Sequence, residues 1–361
     1  DEIDYVELDP LLIKLGKKYT SDLDSEKLNI INKDGRLHVK SSDKKYDLII
    51  LDLPDPTTAQ INRFYTLEFF KETKCILTEK GILSLSLSSS ENYLNIEEKK
   101  LHSSIYNTLN QVYNNTIIIP GEETFYISSD EKLNYNISEK LNKKNISTKY
   151  VNQFYLKSKL TQERINYFLD SLDKNVHLNK DFNPISYYYN FLKWSSMLNQ
   201  NYVLIGIFFL IIILYFILKL NPFTFSLFTT GFSSSSLELL LIFSFQALYG
   251  YVYNQVGIII TFFMIGLATG SFIINTYFNK ISKKSLIITE LAMVIYPLFL
   301  GLVLIILKKY SIGLEKVIFP LLTFILSVIT GMQFPIASKL IQEQTSKKAS
   351  FTPFDRTAPD L

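Results

Sequence analysis

The sequence is poor in the residues that form disulfides and zinc sites. Its 361 residues include one cysteine, Cys75, and three histidines. A single cysteine excludes an intramolecular disulfide framework and suits a reducing compartment. So few thiols and imidazoles also exclude a zinc cluster of these ligands. We therefore expect no metal site.

Charge is nearly missing from one part of the chain. Residues 1–200 carry 28 of the 34 acidic and 26 of the 37 basic side chains, whereas Glu238 is the only formal charge in residues 220–279. This composition is typical of membrane-spanning helices and excludes a purely soluble protein. The small net negative charge of residues 1–200 argues against nucleic acid as a partner, because phosphate binding needs a basic surface.

The first 200 residues alternate segments typical of strands and of helices. β-prone apolar runs predict strands at residues 3–8, 37–39, 46–51, 81–87, 116–119 and 125–128. Helical patterns lie between several of them, at residues 10–18, 65–77 and 97–112. The alternation predicts an α/β fold on a doubly wound sheet, with its ligand at the carboxyl ends of the strands. The run at 46–51 is expected to be a central parallel strand, because it is apolar towards both faces.

The rest of the chain contains apolar segments of about 20 residues, the length that crosses a hydrocarbon core of roughly 30 Å. Gly266 and Gly270, four residues apart, form a small-residue face typical of helix packing. The expected spans are residues 202–218, 223–249, 256–278, 286–307 and 317–340. We predict a soluble domain at 1–200, a transmembrane region of about five spans at 201–342, and a tail at 343–361.

The lysines near the span ends bear on topology. Counted over five spans, they favour a soluble half outside the cytoplasm. One miscounted span, or spans missing from a fragment, reverses that orientation. We predict an integral protein of the bacterial inner membrane with its soluble domain in the cytoplasm and the lipid bilayer as a partner. A homo-oligomer stays open.

Two carboxylates, Asp52 and Asp55, directly follow the predicted strand at 46–51. Prolines at 54 and 56 restrict this loop and lower the entropy cost of positioning a site. A close pair of carboxylates attracts a cation, which suits work on an amine. The alternative is a helix cap in a proline-rich turn. Tyr65 follows and could add a hydroxyl to the same pocket, or it could be a core aromatic.

Two other acidic residues lie near predicted strand ends. Glu7, at the tip of the first strand, could accept both hydroxyls of a ribose, because a carboxylate offers two acceptor oxygens. It could equally be a solvated strand end or a helix cap. The Asp34-Gly35 dipeptide is, first of all, typical of turns. A turn there could place Asp34 against an adenine amino group.

The apolar half contains a few polar candidates. Glu238 and Gln246 lie eight residues apart, on broadly the same face of a helix. A carboxyl group in lipid is costly, so Glu238 is expected to face the bundle interior or a water-filled path. There it could bind a cation such as a polyamine, or pack between helices in its protonated form. Glu290 and Gln333 are weaker candidates of the same kind.

Five motifs follow one another along the first half: Val6-Glu7-Leu8-Asp9-Pro10, Asp34-Gly35-Arg36, Asp52-Leu53-Pro54-Asp55-Pro56, Phe64-Tyr65-Thr66-Leu67-Glu68 and Lys80-Gly81-Ile82-Leu83. In this order they resemble the motifs of spermidine synthases, the polyamine aminopropyltransferases. The apolar half is similar to the transporter-like membrane region fused to bacterial members of that family. The resemblance implies a partial Rossmann-like domain of the S-adenosylmethionine-methyltransferase type, followed by an all-α transmembrane helical bundle.

The resemblance implies decarboxylated S-adenosylmethionine as a co-substrate and no prosthetic group. Glu7 would then hold its ribose, and Asp34 with Gly35 would contact its adenine. The Gly-rich turn of the family lies outside this sequence. We therefore expect a fragment that binds adenosyl cofactors poorly and is itself inactive.

The resemblance also implies roles for the carboxylate pair. Asp52 would orient and deprotonate the attacking amine of a polyamine such as putrescine, while Asp55 and Tyr65 would fix its amino groups. Leu53 and Pro54 depart from the small hydroxyl residues that are usual between the two aspartates. Two alternatives remain: a polyamine transporter or sensor with a degenerate synthase domain, and a methyltransferase, which would not need Asp55 and Tyr65.

Overall fold

The computed structural model describes most of the chain, and the chain divides into two compact units, residues 1–200 and residues 201–361. The described residues are 2–20, 23, 25–90, 93–148, 151, 155–156, 159–197, 202–249, 253–277, 282–309 and 315–351.

The first unit alternates strands and helices, which confirms the predicted α/β class. The strands are β1 (Ile3–Glu7), β2 (Leu28–Asn32), β3 (Tyr46–Leu51), β4 (Leu77–Ser88), β5 (Asn115–Ile119) and β6 (Glu123–Ser129). The helices are α1 (Pro10–Tyr19), α2 (Gly35–Ser41), α3 (Ala59–Asn62), α4 (Leu67–Ile76), α5 (Ile96–Asn110), α6 (Ile137–Lys143), α7 (Gln162–Ser171) and α8 (Ile185–Met197).

The strands form two sheets. In one, β1 pairs in parallel with β2. In the other, with the order β3-β4-β6-β5, β3 runs parallel to β4, while β6 runs antiparallel to both of its neighbours. Parallel strands linked by helices, followed by an antiparallel pair, give this unit its Rossmann-like character.

The prediction that β3 is a central strand is wrong for the described residues, in which β3 pairs with β4 alone and forms a sheet edge. Leu48 is 51% exposed and Ile50 is 65% exposed, while Ile49 and Leu51 pack against the core. An apolar run shows only that a strand is hydrophobic, because its neighbours are set by pairing with distant segments.

The predicted strand at residues 37–39 is also wrong, since these residues lie in α2. The side chain of Asp34 accepts a hydrogen bond from Leu37 N at 3.0 Å and caps the helix. An aspartate at this position satisfies one of the free N–H groups of the first turn, which favours a helix over a strand. Strand β2, just before Asp34, was not predicted.

The core of the first unit lies where α4 and α5 meet β4. Phe69 and Phe70 of α4, Leu83 and Leu85 of β4 and Ile105 of α5 are buried there. Each such side chain contributes roughly 1.5–3 kcal/mol when it leaves water. This core fixes the carboxyl end of β4 beside that of β3, where the candidate site lies.

The second unit is helical, as predicted. Among the described residues, four helices are long and apolar enough to cross a membrane, and a fifth is apolar but shorter. The short one, α9, corresponds to the first predicted span, and the last one, α13, runs on past the predicted boundary at residue 342. The helices are α9 (Tyr202–Lys219), α10 (Pro222–Tyr249), α11 (Tyr253–Tyr277), α12 (Lys283–Lys309) and α13 (Glu315–Phe351).

Helices α11 and α13 pack closely through glycine. A Cβ atom at Gly266 would lie 2.7 Å from the carbonyl oxygen of Phe324 and would overlap the Ser327 hydroxyl. A Cβ atom at Gly270 would overlap the carbonyl oxygen of Val328. The small-residue face therefore packs helices, as its spacing predicts.

Candidate active site

The carboxylate loop, residues 52–56, directly follows β3. Asp52 is exposed at the carboxyl end of this strand, and Asp55 is half-buried. The Asp55 Oδ1 atom accepts a hydrogen bond from Ser88 N at 2.8 Å. This bond ties the loop to the carboxyl end of β4, so both carboxylates lie on the ligand-binding edge expected for parallel strands.

Tyr65 holds the loop between the two aspartates. Its side chain is fully buried, and its hydroxyl donates to the carbonyl oxygens of Pro54, at 2.9 Å, and Leu53, at 3.2 Å. Burial, followed by the charges of Asp55 and Asp52, raises the pKa of this hydroxyl above its ordinary value. The structure thus brings the three predicted residues together, with Tyr65 bonded to the loop backbone.

Lys193 of α8 belongs to the same site and was missed by the sequence reasoning. Its Nζ atom donates to Ser88 O at 3.0 Å and forms ion pairs with Glu98 at 3.4 Å and Asp55 at 3.8 Å. The lysine is only 6% exposed, so its charge is little screened by solvent. A signal was present, because Lys193 is the single formal charge in an aromatic helix.

His102 and Tyr126 form a buried polar pair close to Lys193. The Nδ1 atom of His102 lies 2.6 Å from the Tyr126 hydroxyl, and both side chains are fully buried. Burial, followed by the charge of Lys193, lowers the pKa of His102 to about 3. Burial and the charge of Asp55 raise the pKa of Tyr126. Both groups are therefore neutral at physiological pH.

Glu7 lies where it was predicted, at the carboxyl end of β1. Its Oε1 atom accepts a hydrogen bond from Asp9 N at 2.9 Å, just before α1 begins. The side chain is half-buried, and the carboxylate has a second oxygen. Its contact with a ribose stays a prediction.

Asp34 lies in a separate buried cluster. It caps α2. Its two carboxylate oxygens also accept hydrogen bonds from the two terminal nitrogens of Arg63, one of them at 3.2 Å. At Gly35 a Cβ atom would lie 3.4 Å from the Phe64 ring, an ordinary van der Waals contact. The proposed contact of Asp34 with adenine stays a prediction, but both of its oxygens already have partners.

A buried arginine, Arg36, links α2 to α4 and to Asp181. Arg36 binds both oxygens of Glu72, at 2.9 and 3.0 Å, and both oxygens of Asp181, at 2.8 Å each. Asp181 also accepts from the Thr66 hydroxyl at 2.7 Å. The contacts of Asp181 join segments more than one hundred residues apart, which is why local patterns did not indicate them.

The two main polar candidates of the apolar half lie on α10. Glu238 is half-buried, and Gln246 is buried with its Nε2 atom unpaired among the described residues. Their roles in function stay predictions.

The comparison with known families concerns the part of the chain that holds the carboxylate loop. Residues 1–136 match the model of the spermine/spermidine synthase domain. The family resemblance that was inferred from the motifs is thereby confirmed for these residues. They include every predicted catalytic and cofactor-binding residue.

Curated relatives of the same part of the chain are polyamine aminopropyltransferases, which are transferases. The protein of Prochlorococcus marinus strain MIT 9301 is 36% identical over 118 residues, 31% of this chain and 40% of that protein. The protein of Methanocaldococcus jannaschii is 38% identical over 87 residues, 23% of this chain and 29% of that protein. The chain thus spans less than half the length of either relative.

Solved structures with a similar arrangement include two spermidine synthases. One, from Thermotoga maritima, is 23% identical with a TM-score of 0.37, over 47% of this chain and 60% of that one. The other, in complex with the transition state analogue AdoDATO, is 22% identical with a TM-score of 0.39, over 47% of this chain and 61% of that one.

Proposed function

We propose that the protein of which the first unit is a part transfers an aminopropyl group from decarboxylated S-adenosylmethionine to a polyamine such as putrescine, and that the first unit supplies its amine-binding residues. The observation that carries this proposal is the asymmetry of the carboxylate loop. Asp55 is fixed by Ser88 N and Lys193, whereas Asp52 is exposed at the carboxyl end of β3. One held and one accessible carboxylate suit an amine that must be both bound and deprotonated.

The reaction is a displacement at the carbon beside a sulfonium. The amine nitrogen forms a bond to this carbon while the carbon–sulfur bond breaks. Sulfur keeps the bonding electron pair and becomes a neutral thioether. The proton lost by the amine passes to the Asp52 carboxylate. Alignment of nitrogen, carbon and sulfur is the main requirement, and a rigid loop supplies it.

Tyr65 acts in this proposal as a positioning residue. Its hydroxyl donates to the backbone between the two aspartates and so fixes their separation. Lys193 has a related role, because its charge holds the Asp55 carboxylate in place. Two carboxyl groups, Asp55 and Glu98, pair with the single ammonium group of Lys193. The excess of negative charge attracts the amine.

We propose that helices α10–α13 anchor this unit in a bacterial inner membrane, with the catalytic unit in the cytoplasm. Their length and composition support a membrane location. Cys75 is an exposed free thiol, which suits the reducing conditions of the cytoplasm.

The direct test is product analysis with the full-length protein, purified in detergent. The protein is incubated with putrescine and decarboxylated S-adenosylmethionine, and the products are identified by mass spectrometry. The proposal expects the mass of spermidine together with the thioether product. Methylated product from S-adenosylmethionine would instead indicate a methyltransferase. Saturable putrescine binding without product would indicate a sensor or transporter and contradict the proposal.

A further inference from the structure

The second unit contains a cavity of about 320 Å³, lined by residues of α10, α11 and α13. Its polar lining residues are Thr230, Ser271, Thr330 and Gln333. Leu227 is among its apolar lining residues. The cavity has room for far more than one water molecule, which needs about 30 Å³ in the liquid.

Gln333 indicates that this cavity takes a ligand. Its side chain is fully buried, and neither Oε1 nor Nε2 has a hydrogen-bond partner among the described residues. An unpaired buried amide costs about 1–3 kcal/mol, so such groups normally have partners. Because Gln333 lines the cavity, a bound molecule with polar groups would satisfy it.

A carboxyl group lies next to the cavity lining. The Oε1 atom of Glu290 accepts hydrogen bonds from Ser226 and, at 3.3 Å, from Thr230. Thr230 lines the cavity and donates its hydroxyl proton to Glu290, so it presents acceptor lone pairs to a ligand. In the sequence of residues 222–248, 255–277, 285–307 and 317–338, the charged side chains are Glu238 and Glu290. An ionisable carboxyl group inside an apolar helical bundle favours a positively charged partner.

The lining distinguishes an organic cation from a metal ion. A bare ion needs several oxygen ligands at short distance and gains nothing from apolar walls. An ammonium group donates to hydroxyl and amide oxygens, while an alkyl chain packs against Leu227, Leu267 and Phe334, which also line the cavity. We propose that this cavity binds a small alkylammonium solute. The inference stands independently of the function proposed for the first unit.

Two glycines provide a matched test. Gly231 lines the cavity, and a Cβ atom built on it meets no other atom within 4 Å. Gly231→Leu therefore adds an apolar side chain at the cavity lining with no clash at its Cβ atom. A Cβ atom at Gly301 of α12 also meets nothing within 4 Å, and Gly301 is not among the cavity-lining residues, so Gly301→Leu is the control.

The measurement is equilibrium binding of radiolabelled putrescine to the full chain in lipid nanodiscs. Every protein carries Asp52→Asn and Asp55→Asn, which weakens the amine site proposed in the first unit. We expect the Gly301→Leu protein to keep saturable binding and the Gly231→Leu protein to lose at least about tenfold in affinity, the equivalent of one charge-assisted hydrogen bond. Glu290→Gln should weaken binding by a similar factor, because it removes the charge at nearly constant volume.

Three results would overturn the inference: equal binding by the two leucine variants, no saturable binding by the Gly301→Leu protein, or displacement of putrescine by an equal concentration of sodium. The last result would assign the cavity to an inorganic cation. Spermidine formation by a protein with intact Asp52 and Asp55 is measured separately, so failure here is distinguishable from failure of the proposed function.

Discussion

His102 is a buried ionisable side chain whose charge state links pH to stability. Its pKa is lowered to about 3 by burial and by the charge of Lys193. The unfolded chain takes up a proton on this residue below about pH 6.5, whereas the folded protein stays neutral down to about pH 3. This group therefore makes the folded state less stable as the pH falls from about 6.5 towards 3.

We predict that His102→Asn reduces this pH dependence. Asparagine keeps a polar group near the Nδ1 position that contacts Tyr126, but it does not take up a proton. Between pH 6.5 and 5 the parent should lose up to about 2 kcal/mol more stability than the variant. Urea unfolding of the first unit, followed through the fluorescence of Trp194, measures the difference. Parallel pH profiles would contradict the assignment.

At the residue level, the sequence was enough to predict a site whose residues lie within one short motif. Asp52 and Asp55 are three positions apart in a proline-rich loop, and the structure places both at the carboxyl end of β3. Lys193 could not be assigned to this site, since its contact with Asp55 depends on how α8 packs. The hydroxyl contact of Tyr65 with Pro54 O was also not predictable, because it depends on loop geometry.

Helix α2 depends on a buried charge pair at its first turn. Asp34 caps the helix and pairs with Arg63, and both side chains are buried. We predict that Asp34→Asn keeps the cap but leaves a buried guanidinium without a counter-charge, at a cost of about 3–5 kcal/mol. Asp9→Asn, at the exposed cap of α1, should cost about 0.5 kcal/mol or less.

Thermal unfolding of the first unit compares these two variants. If Asp34→Asn leaves stability unchanged and weakens only the binding of an adenosyl compound, the residue acts on the ligand and the structural role is wrong. The prediction of a strand at 37–39 was wrong because the capping role of Asp34 was not considered. Three β-prone residues were given more weight than the capping aspartate before them, although the cap specifies a helix start.

The contact between α11 and α13 depends on the absence of a side chain at Gly270. We predict that Gly270→Ala weakens the bundle by about 1–3 kcal/mol, because the new methyl group overlaps the Val328 carbonyl. Gly301→Ala, where the space is open, should be neutral or slightly stabilising. Resistance of each protein to unfolding in dodecyl sulfate measures this. Equal resistance would contradict the packing described.

At the scale of the whole molecule, composition alone separates the two units. The loss of charge after residue 200 is visible in sequence because helices of a length and composition that could cross a bilayer carry few charges. Strand pairing has no comparable signal in the composition, and the predicted place of β3 in the sheet was therefore wrong. The cavity at Gln333 was not predicted either, since a buried glutamine in sequence looks the same whether it is paired or unpaired.

We predict that the full chain stays in the membrane pellet after extraction with alkaline carbonate. Helices α10–α13 each present an apolar surface that water does not solvate, whereas a peripheral protein held by charge is released. Recovery of the intact protein in the supernatant would exclude an integral membrane location.

The central claim is that the carboxylate loop acts on an amine, and the most direct measurement is turnover by Asp52→Asn beside Asp47→Asn. Both aspartates are exposed and belong to or adjoin β3, but Asp47 lies near its start and accepts a hydrogen bond from Thr78 at 3.0 Å. The amide keeps the shape of the side chain and removes its basicity.

In a full chain that forms spermidine, Asp52→Asn should lower the rate by about 10² to 10⁴, the usual loss for a positioned base. Thermal stability should stay at the parental value, and Asp47→Asn should keep the parental rate. Parental turnover of putrescine by the Asp52→Asn protein would contradict the account.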